Sequence, residues 1–220
     1  MDTVTTPLLL TLKVAVLATL GSLAAGVPAA YLIGRREFPG RSVLDALATM
    51  PMVLPPTVLG YYLLVVFGRN GVLGRWLMET FGVTLMFSWQ GAVLASSIVA
   101  FPLVFTTARA AFDAVDANLV NAARTLGASE IPLFARVSLP LAWRGILAGA
   151  MLAFARAMGE FGATLMIAGN IPGKTQTLSL AVYSAVMAGE DGQALFLTLV
   201  VTLASMAVLV GSGRLARRNA

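Results

Sequence analysis

The side chains that most often carry out chemistry are rare in this sequence. None of its 220 residues is a histidine or a cysteine, so it lacks the commonest general base, the commonest metal ligand and the thiolate nucleophile. A hydrolase working inside a membrane would instead need a Ser–Lys pair or two carboxylates, and Lys13 and Glu160 offer neither arrangement. We therefore predict no catalytic residue, no metal site and no cofactor bound by this chain.

One segment imitates a phosphate-binding loop. Residues 168–175 read AGNIPGKT and end in Gly173, Lys174 and Thr175. The stricter pattern requires glycine at the first position, where this chain has Ala168. A phosphate-binding loop also follows a strand, so that backbone N–H groups at a helix start surround the phosphate, whereas an apolar, membrane-like run precedes this one. We predict that the segment does not bind a nucleotide.

Arg156 and Glu160 are charged residues within an apolar run. Their spacing of four places them on one face of a helix. Charges at membrane depth are costly, so they are usually paired, buried in protein or directed at a water-filled path. One interpretation gives them a role along a translocation path or at its gate. The other, which we favour, is an internal ion pair that fixes helix packing.

Prolines interrupt another apolar run at Pro51, Pro55 and Pro56. Proline removes a backbone donor and kinks or breaks a helix, and a break at membrane depth is tolerated where protein or water covers the freed carbonyl groups. Pro55 and Pro56 are therefore candidates for a bend that lines the pathway. A purely structural kink is an equal alternative.

The elements that must position these residues are transmembrane helices. Hydrophobic residues make up 58% of the chain, charged residues 11%, and the mean hydropathy is +0.86, whereas soluble domains are about 25% charged. Five apolar runs are long enough to cross a bilayer, which takes about 20 residues. We predict an all-α, polytopic membrane protein forming one transmembrane domain over residues 1–220, with a short external or partly inserted helix near 178–188. The predicted spans are 7–33, 43–67, 90–108, 141–168 and 194–211.

The positive charges indicate an orientation. Lys and Arg accumulate in short cytoplasmic loops, and five spans put the termini on opposite sides. The predicted cytoplasmic side holds Arg35, Arg36, Arg41, Arg109, Arg124, Arg136, Arg144, Arg214, Arg217 and Arg218, and the predicted external side holds Lys13, Arg69, Arg75 and Lys174. We therefore expect an external N-terminus and a cytoplasmic C-terminus. The basic residues are not clustered with aromatic ones, so the net charge of +5 does not indicate nucleic-acid binding.

A polar segment at about 113–140 lies between two apolar runs, on the predicted cytoplasmic side. It reads as two short helices: Asp116 can cap the first, Gly127 suits the left-handed position after it, and Ser129 can cap the second. Pro140 then marks the entry to the next membrane helix. The alternatives are a rigid projection for a partner and an amphipathic loop lying on the bilayer.

This segment resembles the cytoplasmic EAA motif of ABC importer permeases: Glu-Ala-Ala, three residues, Gly, nine residues, Ile, one residue, Leu-Pro. Two positions depart from the motif, because asparagine replaces its glutamate and valine its isoleucine. The first departure removes a charge that the family can pair with a basic residue of the ATPase. The matching positions, with the spacing kept, are Asn121, Ala122, Ala123, Gly127, Val137, Leu139 and Pro140.

Along most of its length the chain resembles the molybdate permeases within that group. The resemblance implies a homodimer of five-helix permeases, a dimer of cytoplasmic ATPases that uses the ATP, and an extracytoplasmic oxyanion-binding protein. It implies molybdate or tungstate as the substrate, with sulfate or another oxyanion as the alternative. An ion-coupled secondary transporter is a more distant alternative for the function, because such a protein would show inverted repeats and acidic residues for coupling. The segments that carry the resemblance are 38–40, 51–60, 87–89, 91–95, 122–128, 154–156, 159–164 and 170–173.

Overall fold

The computed structural model describes residues 2–34 and 38–218, and every regular element in them is helical. Arg35 and Arg36, which the charge argument uses, lie outside the described residues. The helices are α1 (Asp2–Gly34), α2 (Arg41–Val53), α3 (Pro56–Phe67), α4 (Val72–Phe81), α5 (Trp89–Asp113), α6 (Ala117–Thr125), α7 (Glu130–Leu133), a π-helical turn (Phe134–Ser138), α8 (Leu139–Met158), α9 (Gly162–Ala168), α10 (Leu178–Met187) and α11 (Asp191–Arg218).

Helices α1 and α5 form the centre of the bundle and run parallel to each other. The Lys13 ammonium lies 3.5 Å from the centre of the Trp89 ring, and further along Ser22 Oγ donates to the Ser97 carbonyl at 2.8 Å. Both contacts join residues separated by nearly the same stretch of sequence, which is the signature of parallel helices.

Helix α8 packs against α5 in the opposite direction. Gly149 permits the close approach, because a Cβ there would lie 2.0 Å from Thr107 Oγ1. The core around this crossing consists mostly of small and branched side chains that let the helices come together. Its buried members are Val27, Ala30, Ala100, Val104, Phe105, Ala108 and Ala153.

Four described helical stretches are long and apolar enough to cross a membrane. Helices α2 and α3 add a fifth crossing only if they are taken as one broken span, since they bend by 115°. The predicted proline break is confirmed there: Leu54, the residue before Pro55, is extended with ψ 138°, as expected next to proline. The four stretches are Val4–Gly34, Trp89–Asp113, Glu130–Met158 and Asp191–Val208.

The prediction of one helix over 141–168 is wrong. Helix α8 ends at Met158, the chain leaves helical geometry through Phe161, and α9 is a separate short helix. The predicted short helix near 178–188 is present as α10, and it packs on the bundle: Leu178 is buried, and its N–H donates to Thr11 Oγ1 at 2.8 Å. Helix α4 was not predicted at all.

The bundle has two distinct ends. One carries residues 113–140 and the starts of α2 and α8, and the other carries α4 and the turn 169–177. Arg109, at the first end, pairs with Asp45 of α2 and lies 4.0 Å from Asp113. Lys13, Arg69, Arg75 and Lys174 lie at the second end and Arg109, Arg124, Arg136 and Arg144 at the first, so these eight cations separate in space as predicted.

Candidate functional site

The first candidate site is the helix–glycine–helix segment 116–140, called the knuckle here. Asp116 Oδ1 accepts a hydrogen bond from the Asn118 N–H at 2.8 Å, which confirms the predicted cap of α6. Gly127 has φ 83°, and nothing lies within 4 Å of where its Cβ would be. The turn therefore selects glycine for its left-handed backbone and not for lack of space.

Two backbone hydrogen bonds close the turn of the knuckle. The N–H of Gly127 donates to the carbonyl of Arg124 at 2.9 Å, and that of Ala128 donates to Ala123 at 3.0 Å. This nested pair is the Schellman arrangement, which satisfies carbonyl groups left free at a helix end. The direction in which α6 projects is thus set by the local sequence.

The second half of the knuckle differs from the prediction in two ways. Ser129 is the residue before α7, but its hydroxyl makes no capping hydrogen bond. Pro140 stands in the first turn of α8, as predicted, but the helical path that leads into it is continuous from Glu130. The path widens into a π-helical turn at Phe134–Ser138, just before the proline. Proline lacks an N–H and crowds the carbonyl four residues earlier, and a locally wider turn relieves both problems.

The motif residues of the knuckle divide into an exposed and an inner group. Asn121 and Ala122 are exposed, and Ala123 is partly so. Near them, Leu126 is 87% exposed and Ile131 is 80% exposed, so large apolar side chains face outwards. The inner group consists of Val137, partly buried, and Leu139, which packs on the main core.

An aromatic cluster joins the knuckle to the membrane helices. The ring of Tyr31, on α1, lies with its centre 5.3 Å from that of Phe112 on α5 and 4.6 Å from that of Phe134 in the π-helical turn. Leu133, immediately before this turn, is fully buried. A displacement of the knuckle would therefore be transmitted to α1 and α5 through close-packed rings.

A small cavity lies behind Asn121. It measures about 240 Å³, and its lining includes Asp113, Val120, Asn121 and Arg124. The charged groups here have both signs, so a new charge at position 121 would meet Asp113 as well as Arg124.

The second candidate site is the helix break at 159–161. Glu160 is only 2% exposed. Its Oε1 accepts a hydrogen bond from the Ala163 N–H at 2.9 Å, and its Oε2 lies 2.8 Å from Arg156 Nη1 as an ion pair without hydrogen-bond angles. The predicted pairing of Arg156 with Glu160 is present. The two residues do not share a helix, however: Arg156 lies in the last turn of α8, and Glu160 precedes α9.

The charges at the break match the helix ends beside them. Arg156 stands in the last turn of α8, where the carbonyl groups carry partial negative charge, and Glu160 stands at the N–H groups that begin α9. Because Arg156 is neutralised, it is a weak attractor for an anion. The geometry favours the packing role for the pair, and a role along the pathway stays a prediction.

The proline break lies directly against this charged break. A Cβ on Gly162 would lie 3.0 Å from Pro56 Cβ, and one on Gly60 would lie 2.8 Å from Met166 Cβ. Helices α3 and α9 are thus in backbone-close contact, which glycine alone permits. Pro55 and Pro56 are exposed. The structure therefore brings all four pathway candidates into one region, a proximity that no spacing in the sequence indicates.

In the segment that resembles a phosphate-binding loop, residues 168–175, the threonine has a structural role. Thr175 is fully buried, and its hydroxyl accepts a hydrogen bond from the Ile171 N–H at 3.0 Å. A helix, α9, precedes the loop. Thr175 thus closes the turn 169–177.

Comparison with known proteins places these features in context. The family model described as "Binding-protein-dependent transport system inner membrane component" matches residues 26–220. The molybdenum transport system permease protein ModB of Escherichia coli (strain K12) is 45% identical over 216 residues, covering 96% of this chain and 94% of that protein. ModB of Azotobacter vinelandii is 40% identical over 201 residues, covering 91% and 88%.

Solved structures share the fold. A chain of the MetNI methionine ABC transporter superimposes with a TM-score of 0.75 at 15% identity, covering 98% of this chain and 95% of that one. A chain of a bacterial ABC transporter involved in alginate import gives 0.78 at 14% identity, covering 99% and 80%. At such identities the likeness concerns the arrangement of helices alone.

Proposed function

The chain belongs to the family of binding-protein-dependent transport system inner membrane components, and from that premise we propose that it is the permease subunit of an ABC importer that moves molybdate across the cytoplasmic membrane. The observation that carries the substrate is the 45% identity, along 96% of the chain, to a molybdenum transport permease. Residues 1–220 form one transmembrane domain in this proposal, and no bond chemistry is assigned to them.

The proposed motor is a separate cytoplasmic ATPase that binds the knuckle. Leu126 and Ile131 expose apolar surface there, and a cluster of exposed apolar side chains is typical of a protein contact. The residues assigned to coupling are Asn121, Ala122, Ala123, Gly127, Val137, Leu139 and Pro140. The exposed ones would contact the ATPase, while Val137 and Leu139 would hold the knuckle to the bundle.

The orientation follows from charge. Arg109, Arg124, Arg136 and Arg144 lie at the knuckle end, so that end is assigned to the cytoplasm. The N-terminus is then external and the C-terminus cytoplasmic. An extracytoplasmic oxyanion-binding protein would approach the α4 end, and a second copy of the permease would complete the pathway.

The mechanism derives from the rigid knuckle. When ATP binding draws two ATPase subunits together, each would move its knuckle. The Tyr31, Phe112 and Phe134 rings would pass the motion to α1 and α5. Hydrolysis would return the helices. The contact between the breaks at Pro55–Pro56 and 159–161 would let α3 and α9 move together as one unit beside the path.

The test is substrate-stimulated ATP hydrolysis in proteoliposomes. The chain is purified with its ATPase and its binding protein, and molybdate, tungstate and sulfate are compared. We expect molybdate and tungstate to stimulate hydrolysis and uptake, and sulfate to do neither. Stimulation by sulfate alone would contradict the substrate. Hydrolysis that no oxyanion changes, in a complex that binds its binding protein, would contradict the importer itself.

A further inference from the structure

The groove between α3 and α4 contains none of the residues assigned above to coupling or to the pathway. It has a volume of about 660 Å³, and its lining includes Leu64, Phe67, Met78, Met86 and Phe87. Four residues separate the end of α3 from the start of α4, and α4 has only ten residues, so it cannot span a bilayer. Because α3 belongs to the broken apolar span and α4 is too short to continue it, the groove lies at the end of that span.

Two arginines stand at one end of the groove. Arg69 belongs to its lining, and Arg75 donates from Nη2 to the Asn70 carbonyl at 3.3 Å, which holds its guanidinium beside the same segment. Both side chains are exposed, and within the described residues neither forms an ion pair. An apolar groove that ends in two exposed guanidinium groups matches an amphiphile with an anionic head.

Aromatic residues on α4 agree with a position at the membrane boundary. Trp76 and Phe81 are 52% and 62% exposed, with ring centres 5.5 Å apart. Tryptophan is enriched at the level of lipid headgroups, and short helices with aromatic and basic residues lie in that layer. At the same end of the bundle, the Lys13 ammonium lies over the Trp89 ring, which pairs a cation with an indole.

We propose that this groove binds a phospholipid, with an acyl chain between α3 and α4 and the anionic phosphate held by Arg69 and Arg75. The leaflet is the outer one if the proposed topology holds, but the site itself does not depend on that topology. The occupant is a lipid and not a free oxyanion, because most of the lining is apolar and only an amphiphile would use both parts.

Spin labels on neighbouring residues test the position of the groove. The chain has no cysteine, so Met78→Cys and Glu79→Cys each carry a single label, attached before assembly with the ATPase in lipid nanodiscs. Met78 lines the groove, while Glu79 is exposed beside it. We expect the label at 78 to be relaxed mainly by oxygen, which partitions into lipid, and that at 79 by a water-soluble nickel chelate.

The arginines are tested by lipid retention. Nanodiscs of phosphatidylcholine with phosphatidylglycerol are used, and the retained lipid is measured by native mass spectrometry. Each arginine should contribute about a fivefold preference for phosphatidylglycerol, corresponding to about 1 kcal/mol per basic residue at an anionic surface. Arg69→Gln with Arg75→Gln should remove this preference. Lys174→Gln, a charge loss at the same end but outside the groove, should leave it unchanged.

Three results would overturn the proposal. Equal access of both probes to labels 78 and 79 would show that no lipid enters the groove. Shielding of label 78 by the binding protein or by a second permease copy, independent of lipid composition, would assign the groove to protein. Undiminished phosphatidylglycerol retention in the double variant, with a raised KM for molybdate uptake, would assign the arginines to the oxyanion.

Discussion

The knuckle and the helix break at 159–161 both interrupt a helix, but they treat their polar and apolar groups in opposite ways. The knuckle turns at a left-handed glycine and leaves Leu126 87% exposed. The break buries the Glu160 carboxylate to 2% exposure and satisfies it with Arg156 and with the start of α9. The first interruption leaves apolar surface for a partner, and the second is complete within one chain.

This difference reflects the surroundings of each region. In a bilayer no water is present to solvate a free carboxylate or a free N–H, so a broken helix must satisfy its own groups. At the membrane boundary, water solvates the free backbone groups, and surface left uncovered there is available to another protein. Mutations at the break should therefore affect stability first, and mutations in the knuckle should affect coupling first.

The largest effect is expected from Glu160→Gln. The amide oxygen can still accept from the Ala163 N–H, so the change mainly leaves the Arg156 charge without its partner. Removing one member of a buried pair costs about 3–5 kcal/mol, and the partial exposure of Arg156 puts this case near 3 kcal/mol. The apparent Tm of the detergent-solubilised complex should fall by about 10 °C.

The double variant Arg156→Gln with Glu160→Gln separates packing from transport. Replacing both charges removes the unpaired cation, so at least half of the lost Tm should return. Transport by this variant then reports on the pathway: normal molybdate uptake supports packing alone, and abolished uptake supports the gate. A Tm unchanged in Glu160→Gln would contradict the comparison, because the break would then not depend on its ion pair.

Gly127→Val should act on coupling more than on stability. A β-branched residue in a left-handed conformation costs about 1–3 kcal/mol, and the strain can be relieved only by reorienting α6. Molybdate moved per ATP hydrolysed should fall on the order of tenfold, since 1.4 kcal/mol corresponds to a factor of ten in the population of the docked geometry. Uptake and ATPase rates in proteoliposomes measure this ratio.

Two variants serve as controls for Gly127→Val. Gly127→Asn should retain coupling, because asparagine tolerates the left-handed region. Gly173→Val introduces the same strain at the other end of the bundle, where φ is 74° and the Cβ position is equally open. It should lower the Tm to a similar extent with coupling unchanged. Loss of coupling in Gly173→Val would mean that strain anywhere in the bundle disturbs the motor.

The knuckle was largely predictable from sequence, because its determinants are local. Asp116 and Gly127 act on backbone within three residues of themselves, so their types and spacing were enough. The predicted capping hydrogen bond of Ser129 is absent for a local reason too. A helix end open to water does not need a side-chain cap, and the Ser129 hydroxyl makes no such bond. The π-helical turn before Pro140 could not be foreseen, because a proline is compatible both with the first turn of a new helix and with a locally widened turn.

The helix break was only half predictable. The pairing of Arg156 with Glu160 follows from spacing, but the same spacing favoured one continuous helix. The break follows from a long-range fact, the approach of α3 to α9 at Pro56 and Gly162. The signal available was Gly159 and Gly162 on either side of an acidic residue. Helix α4 was missed because ten residues with two charges are too short and too polar for a span.

The smallest effect is expected at Asn121, where the chain departs from the motif. Asn121→Glu restores the acidic residue on the exposed side of the knuckle. An exposed ion pair contributes about 0.2–1 kcal/mol, so the Kd for the ATPase should fall by no more than about fivefold. The gain should disappear at high salt, because exposed charges are screened. Titration of the permease in nanodiscs with the ATPase, at two salt concentrations, measures it.

Whether Asn121→Glu lowers or raises the Kd for the ATPase shows which kind of group the ATPase would place opposite position 121. Asn121→Gln keeps the residue neutral and should leave the Kd unchanged, so any change in Asn121→Glu belongs to the charge. Tighter binding would mean that the ATPase offers a cation that Asn121 leaves unpaired. Weaker binding, with Gln neutral, would mean that Asp113, which lines the same cavity, or an acidic group of the partner repels the new carboxylate. In that case the ATPase surface opposite position 121 would lack the basic residue that pairs with the glutamate of the motif.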